Sequence, residues 1–249
     1  MKIIFTAHVE GDYGMKKKKF LHLDNFIKII KDINIPITLA LGVGGNVDDS
    51  LLRYFTRYYV PDGVELALHY HFKEGENILE SRNNIDIYTE KFYDNFGFRP
   101  TSIVFGHWTI KPEILQYCSE LGYNVDGSYT PYRSGESFVI KNPFRYHGLI
   151  EVPVVSNGYS PLNPFLKLSH YLIVDYLIRR YFKKDIVFHV GFHSYDRNLK
   201  RIFNFAHKYK KFFVTLSDVN HFFNTEYSCL KKEPFIDTVR RIKWKFMRL

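Results

Sequence analysis

Ile3-Ile4-Phe5-Thr6-Ala7-His8-Val9-Glu10-Gly11-Asp12 opens the chain as an apolar run that ends in histidine and two carboxylates. Two further runs end the same way. Val64-Glu65-Leu66-Ala67-Leu68-His69-Tyr70-His71 is one, and Ile186-Val187-Phe188-His189-Val190-Gly191-Phe192-His193 is the other. Short runs rich in Ile, Val and Phe read as buried strands. Alternating β/α folds collect their chemistry at the carboxyl ends of such strands. Three ends carrying ligand-type side chains therefore predict one shared site.

The stretches between them carry helical spacing. Leu23, Phe26, Ile29, Ile30 and Ile33 mark a helix over 20–33. Strands are predicted at 36–41, 101–105, 124–128, 185–190 and 212–216, with irregular strands over 138–155. Helices are predicted at 50–59, 78–96, 111–121, 166–181 and 198–209. Gly42-Val43-Gly44-Gly45 lacks both the P-loop Lys-Ser/Thr and the dinucleotide spacing, so it reads as a turn. Asp218 is placed to cap a short helix. About seven strand–helix units with short connections favour a closed or nearly closed barrel.

Composition bounds the alternatives. The chain has 249 residues, 45% of them hydrophobic, which suits one large domain with a substantial core. Aromatics reach 18%; most fill the core, and some could line a sugar-binding groove. Cys118 and Cys229 are the only cysteines, so neither a disulfide scaffold nor a Cys-rich zinc site follows. No signal-peptide layout or membrane-length run is found, and the expected compartment is the cytoplasm, including the inner face of the membrane. The net charge of +9 is concentrated at Lys16 to Lys19, at Arg179, Arg180, Lys183 and Lys184, and in the tail. Residues 1–225 are read as the barrel domain and 226–249 as a basic amphipathic tail. From Phe235 the tail alternates apolar and basic residues, which suits either an anionic membrane surface or packing on the domain. The basic residues do not form a recognisable nucleic-acid module, and no nucleic-acid partner is expected.

Neutral imidazole and carboxylate are ligands for zinc and related divalent metals. Residues two apart on a strand point the same way, so His8 pairs with Glu10 and His69 with His71. A facial set of Glu10, His69 and His71 leaves open positions for water and substrate, with Asp12 close by. His193 is placed across the site as a general acid or base.

The ordered motifs resemble the polysaccharide deacetylases of the NodB-homology type, related to carbohydrate esterase family 4. Thr6-Ala7-His8-Val9-Glu10-Gly11-Asp12 is similar to the first motif, and His69-Tyr70-His71 to the histidine motif. Phe105-Gly106-His107-Trp108 with Gly122-Tyr123 and Asp126-Gly127-Ser128 resembles the third. Ile150-Glu151-Val152-Pro153 and His193-Ser194-Tyr195-Asp196 follow in order. The resemblance implies a distorted (β/α)7 barrel and metal-dependent removal of acetyl from an N-acetyl sugar. It implies Glu10, His69 and His71 as ligands, zinc first, and His193 as the acid. His107, Trp108, Asp126 and Tyr195 are implied as substrate contacts. The sugar could be nucleotide- or lipid-linked, in surface-polysaccharide biosynthesis.

Two departures stand out. His8 replaces the first-motif aspartate, and Val104 or Phe105 stands where the third-motif arginine is expected. His8 can serve as the base or join the metal. The departures leave three readings open: a divergent deacetylase, another C–N amide hydrolase, or a non-catalytic glycan-binding member.

Overall fold

The structure is a computed structural model that describes residues 1–10, 21–43, 50–56, 63–130, 137–156, 161–164, 168–196, 200–223 and 230–234. The elements run β1 (Lys2–Val9), α1 (Leu21–Ile33), β2 (Ile37–Val43), α2 (Ser50–Thr56), β3 (Val64–Tyr70), α3 (Ile78–Phe96), β4 (Ser102–Phe105), α4 (Pro112–Glu120) and β5 (Val125–Asp126). They continue with β6 (Ser137–Lys141), β7 (Phe144–Tyr146), β8 (Leu149–Glu151), α5 (Leu168–Tyr181), β9 (Val187–His193), α6 (Lys200–Tyr209), β10 (Phe213–Val214), α7 (Val219–Phe222) and β11 (Leu230–Pro234).

Seven strands lie parallel in the order β9-β1-β2-β3-β4-β5-β8. The two ends of this ribbon meet at a bridge between Val154 and His189, where the Val155 N–H donates to the His189 carbonyl at 2.9 Å. The result is the distorted seven-stranded barrel expected from the sequence, closed by a narrow seam. β10 pairs with the start of β1 through Ile3 and Ile4, on the edge that β2 occupies from Thr6 onward. β7 folds back antiparallel on β8, and β6 pairs antiparallel with β11. Part of the segment read as a tail is thus a strand.

Strand alternation divides the core into two layers. Ile3, Phe5, Ala7 and Val9 face outward and pack with Phe26, Ile30, Leu68, Phe105, Phe188 and Phe192 beneath the helices. Ile4, Ala40, Ala67, Val104, Val125, Ile150, Val152 and Val187 fill the barrel interior, and Leu216 and Val219 close its amino-terminal end. The inward row of β1 continues through Thr6 to His8 and then Glu10, all buried. The residues that fill the barrel at one end become its chemistry at the other.

Local signals explain the best-read helix. Asn77 and Glu80 form a reciprocal capping box at the start of α3, and Gly97 ends it at φ 75°. Its buried stripe is Ser81, Ile85, Thr89 and Phe92. Two local readings are corrected. Gly42 and Val43 belong to β2, paired with His69 and Tyr70, while Gly44 and Gly45 lie outside the described residues. A Cβ at Gly42 would sit 3.1 Å from the Val9 carbonyl oxygen, so the glycine lets β2 lie close against the end of β1. Asp218 makes no capping bond to α7; its carboxylate instead accepts from the Thr215 N–H at 2.7 Å. No helix among the described residues is long and apolar enough to cross a membrane.

A candidate metal centre at the barrel mouth

Three donor atoms converge where β1 and β3 end. His69 Nε2 and His71 Nε2 lie 2.9 Å apart, and Glu10 Oε1 is 3.2 Å from the first and 3.1 Å from the second. Two ligands each about 2.1 Å from one ion, at angles between tetrahedral and octahedral, stand about 3.0 to 3.4 Å apart. The observed triangle is close to that size.

Tautomer chemistry sharpens the case. His69 Nδ1 lies 2.9 Å from the Val104 carbonyl, which can only accept, so Nδ1 carries the proton. Neutral His69 then presents a lone pair at Nε2 toward the Glu10 carboxylate and His71. Burial, foremost, holds His69 below its ordinary pKa. Electron-rich atoms crowded together out of water are stabilised by a cation among them. The residues present fit a divalent metal.

His8 stands beside this triangle. Its ring centroid is 4.4 Å from His69, 4.8 Å from Trp108 and 5.2 Å from His193. Its Nε2 is buried without a hydrogen-bond partner, and a ligand atom of His8 clusters with those of Glu10 and His69 within 4.8 Å. Burial and the neighbouring histidines push His8 well below its ordinary value, so it is neutral near pH 7. Its geometry suits either a proton acceptor or a further ligand.

The rim is aromatic. His193 ends β9 with its ring stacked on half-exposed Tyr195 at 4.8 Å. The His193 N–H donates to Asp196 Oδ2, which fixes the turn that carries it. Opposite, Gly106-His107-Trp108 forms a short 3-10 turn in which His107 and Trp108 both have left-handed φ, at 55° and 56°. Such backbone is costly for non-glycine residues and recurs at functional sites. The turn brings His107 to 5.5 Å from His71 and lays the Trp108 indole over Gly191. A Cβ on Gly191 would come 2.9 Å from Trp108 Cζ2, and one on Gly106 would come 2.7 Å from His71 Cγ. Sequence reading did not single out these two glycines; what they accommodate lies on distant strands.

The structure therefore brings together His8, Glu10, His69, His71, His107, Trp108, His193 and Tyr195. Asp12 lies outside the described residues. Asp126 is not at the mouth. Val125 and Ile150 point into the barrel, so Asp126 and Glu151 point away from it. Asp126 is fully buried, its Oδ1 accepting from Ser128 N–H and Oγ–H. Ser128 Oγ in turn accepts from the Phe105 N–H at 2.5 Å, next to the turn that bears Trp108. Burial pushes both Asp126 and Glu151 above the ordinary carboxyl range. Asp126, expected as a substrate contact, instead braces through Ser128 the start of the turn that bears Trp108. His189, which sequence reading left unassigned, is buried inside the barrel. Its Nδ1–H donates to the Val152 carbonyl at 2.7 Å, and its Nε2 accepts from Thr6 Oγ1 at 2.8 Å.

No family model matches the chain, and no curated protein sequence matches it. Solved structures do. A Mycobacterium smegmatis protein described as a polysaccharide deacetylase superposes with a TM-score of 0.64 at 14% identity, over 88% of each chain. A GH57-type branching enzyme from Pyrococcus horikoshii gives 0.56 at 9% identity, over 92% of this chain and 71% of that one. A mutant of a CE4 family pseudoenzyme, with restored enzymatic activity, gives 0.52 at 12% identity, over 87% and 66%. One barrel thus carries more than one chemistry. With its seven parallel strands and the distorted closure described above, the chain has the fold of the polysaccharide deacetylases.

Proposed function

We propose that the chain is a metal-dependent deacetylase that removes acetyl from an N-acetylated sugar, nucleotide- or lipid-linked, in surface-polysaccharide synthesis. The observation that carries this reading is the convergence of Glu10, His69 and His71 within 3.2 Å of one another, buried at the mouth of a deacetylase-type barrel. A divalent cation there, zinc first, would supply a Lewis acid for the acyl carbonyl and lower the pKa of water. Glu10, His69 and His71 hold it. His8 offers a neutral imidazole with an open Nε2 to take a proton. His193, on the neighbouring strand, gives one to the departing amine nitrogen. Trp108 and Tyr195 present aromatic faces to the sugar ring, and His107 lies at the same rim.

Replacement of the first-motif aspartate by His8, and Val104-Phe105 in place of the arginine, supports a second reading as a non-catalytic glycan-binding member. Another C–N hydrolase is the nearest alternative within catalysis. The cytoplasm or the inner face of the membrane is the proposed location, and the tail from Phe235 adds anionic-membrane contact. Elemental analysis of chelator-free protein, paired with acetate release from N-acetylglucosamine carried on a nucleotide or a lipid, tests the main reading. One divalent metal per chain and acetate release support it. Metal or glycan binding with no hydrolysis of any acyl amide supports the second reading.

A further inference from the structure

The end of the barrel opposite the mouth is strongly cationic. α5 ends at Tyr181 just before β9 begins, and α6 ends at Tyr209 just before β10. The mouth is formed where β1, β3 and β9 end, so these helix ends lie at the far face. Arg179, Arg180, Lys183, Lys184, Lys208, Lys210 and Lys211 are all exposed there. On α5, α6 and the turns that follow them, the carboxylates are Asp175 and Asp185. Asp175 accepts from Arg179 at 2.5 Å, from Lys208 and from Tyr209, so it is fully engaged. Asp185 is exposed beside Lys184. Arg179, Arg180, Lys183, Lys184 and Lys208 line a groove of about 560 Å³ with Phe182 and Tyr209.

Phe182 sits among these charges, 41% exposed, with its ring edge-to-face on Phe212 at 5.0 Å. An aromatic side chain lies partly in water inside a ring of lysine and arginine. It matches the makeup of interfacial anchors, in which cations meet phosphate headgroups and an aromatic residue enters the acyl boundary.

We propose that this face docks on a bilayer bearing anionic phospholipid, with Phe182 entering the headgroup region and the mouth directed away. β9 spans Val187–His193, so the mouth stands about 20 Å above the docking face. This inference is independent of the chemistry assigned to the mouth.

The test uses the full chain, with vesicles of phosphatidylglycerol and phosphatidylcholine set against vesicles of phosphatidylcholine alone. The parent should sediment with the first and not with the second. Lys183→Glu with Lys184→Glu should weaken binding at least about tenfold, from roughly 1 kcal/mol per cation at an anionic surface. Phe182→Ala should remove the part of binding that survives high salt. Trp108 and Trp244 are the only tryptophans. In a Trp244→Phe chain, Trp108 at the mouth should keep its fluorescence on vesicles of brominated lipid. The proposal is overturned if the charge-reversed chain binds as the parent does, or if Trp108 is quenched. It is also overturned if the parent ignores vesicles but binds a polyanion such as RNA homopolymer.

Discussion

Gly106→Ala probes the metal cradle with a single methyl group. Gly106 does not have a left-handed φ, so alanine costs nothing in backbone strain. Its Cβ would meet the His71 ring at 2.5 Å from Cε1 and 2.7 Å from Cγ. Carbon atoms settle at about 3.5 Å or more, so the ring must retreat about 1 Å. Metal–ligand distances tolerate about 0.2 Å, so His71 leaves the set. Perturbing the support of a ligand typically costs 10- to 100-fold in affinity or activity, and losing the ligand itself belongs at the upper end. The expected outcome is about 100-fold weaker zinc affinity, or about 2.7 kcal/mol. Competition with a fluorescent chelator measures it. Thermal unfolding of the metal-free chain separates this from simple overpacking, which would cost about 1 to 3 kcal/mol of stability. Gly191→Ala serves as the control, because it presses on Trp108 and leaves the three donors in place. Zinc affinity within about twofold of the parent in Gly106→Ala would refute the assignment of His71 as a ligand.

Other outcomes follow from the same geometry. His193→Ala should lower deacetylation about 100- to 10,000-fold with metal content intact, whereas His8→Ala should lower turnover alone if His8 is the base and metal occupancy as well if it is a ligand; plasma emission and acetate release on the two variants decide. Burial holds His189 down to about 4, against an ordinary value of 6.5. The unfolded chain therefore takes up a proton at this position between those values while the folded chain does not, so stability falls as pH drops through that window, by about 3 kcal/mol in full. Denaturant unfolding from pH 7 to 4 should show a shallower slope in His189→Gln than in the parent, because buried His8 and His69 keep their own share; equal slopes would count against it.

Much of the architecture was legible because each strand carries its periodicity and its terminal chemistry within a few residues. Ile4, Thr6, His8 and Glu10 alternate on one face, and the His69–His71 spacing alone places both rings on the same side. What stayed hidden depends on partners distant in sequence. Nothing near Leu230 says that it will pair with Lys141. Gly42 reads as a turn until its pairing with His69 on the neighbouring strand is seen. Asp126 sits in a motif associated with the site, yet one residue of strand register turns it from the mouth toward Glu151. A cap and a backward turn use the same aspartate at 218, and only the backbone around Thr215 distinguishes them.

The pairing of β1 has a consequence for the order of assembly. Its Thr6–Val9 edge is zipped to β2, which pairs in turn with β3. Glu10, His69 and His71 therefore all come from the first three strands to leave the ribosome. The other edge of β1 waits for β9, whose register sets His193 directly beside His8. The three clustered donors and the histidine proposed as the acid are delivered in two instalments, with the slow, long-range closure reserved for the second. A chain interrupted before β9 contains Glu10, His69 and His71 but leaves one whole edge of β1 unpaired and His8 without its neighbour.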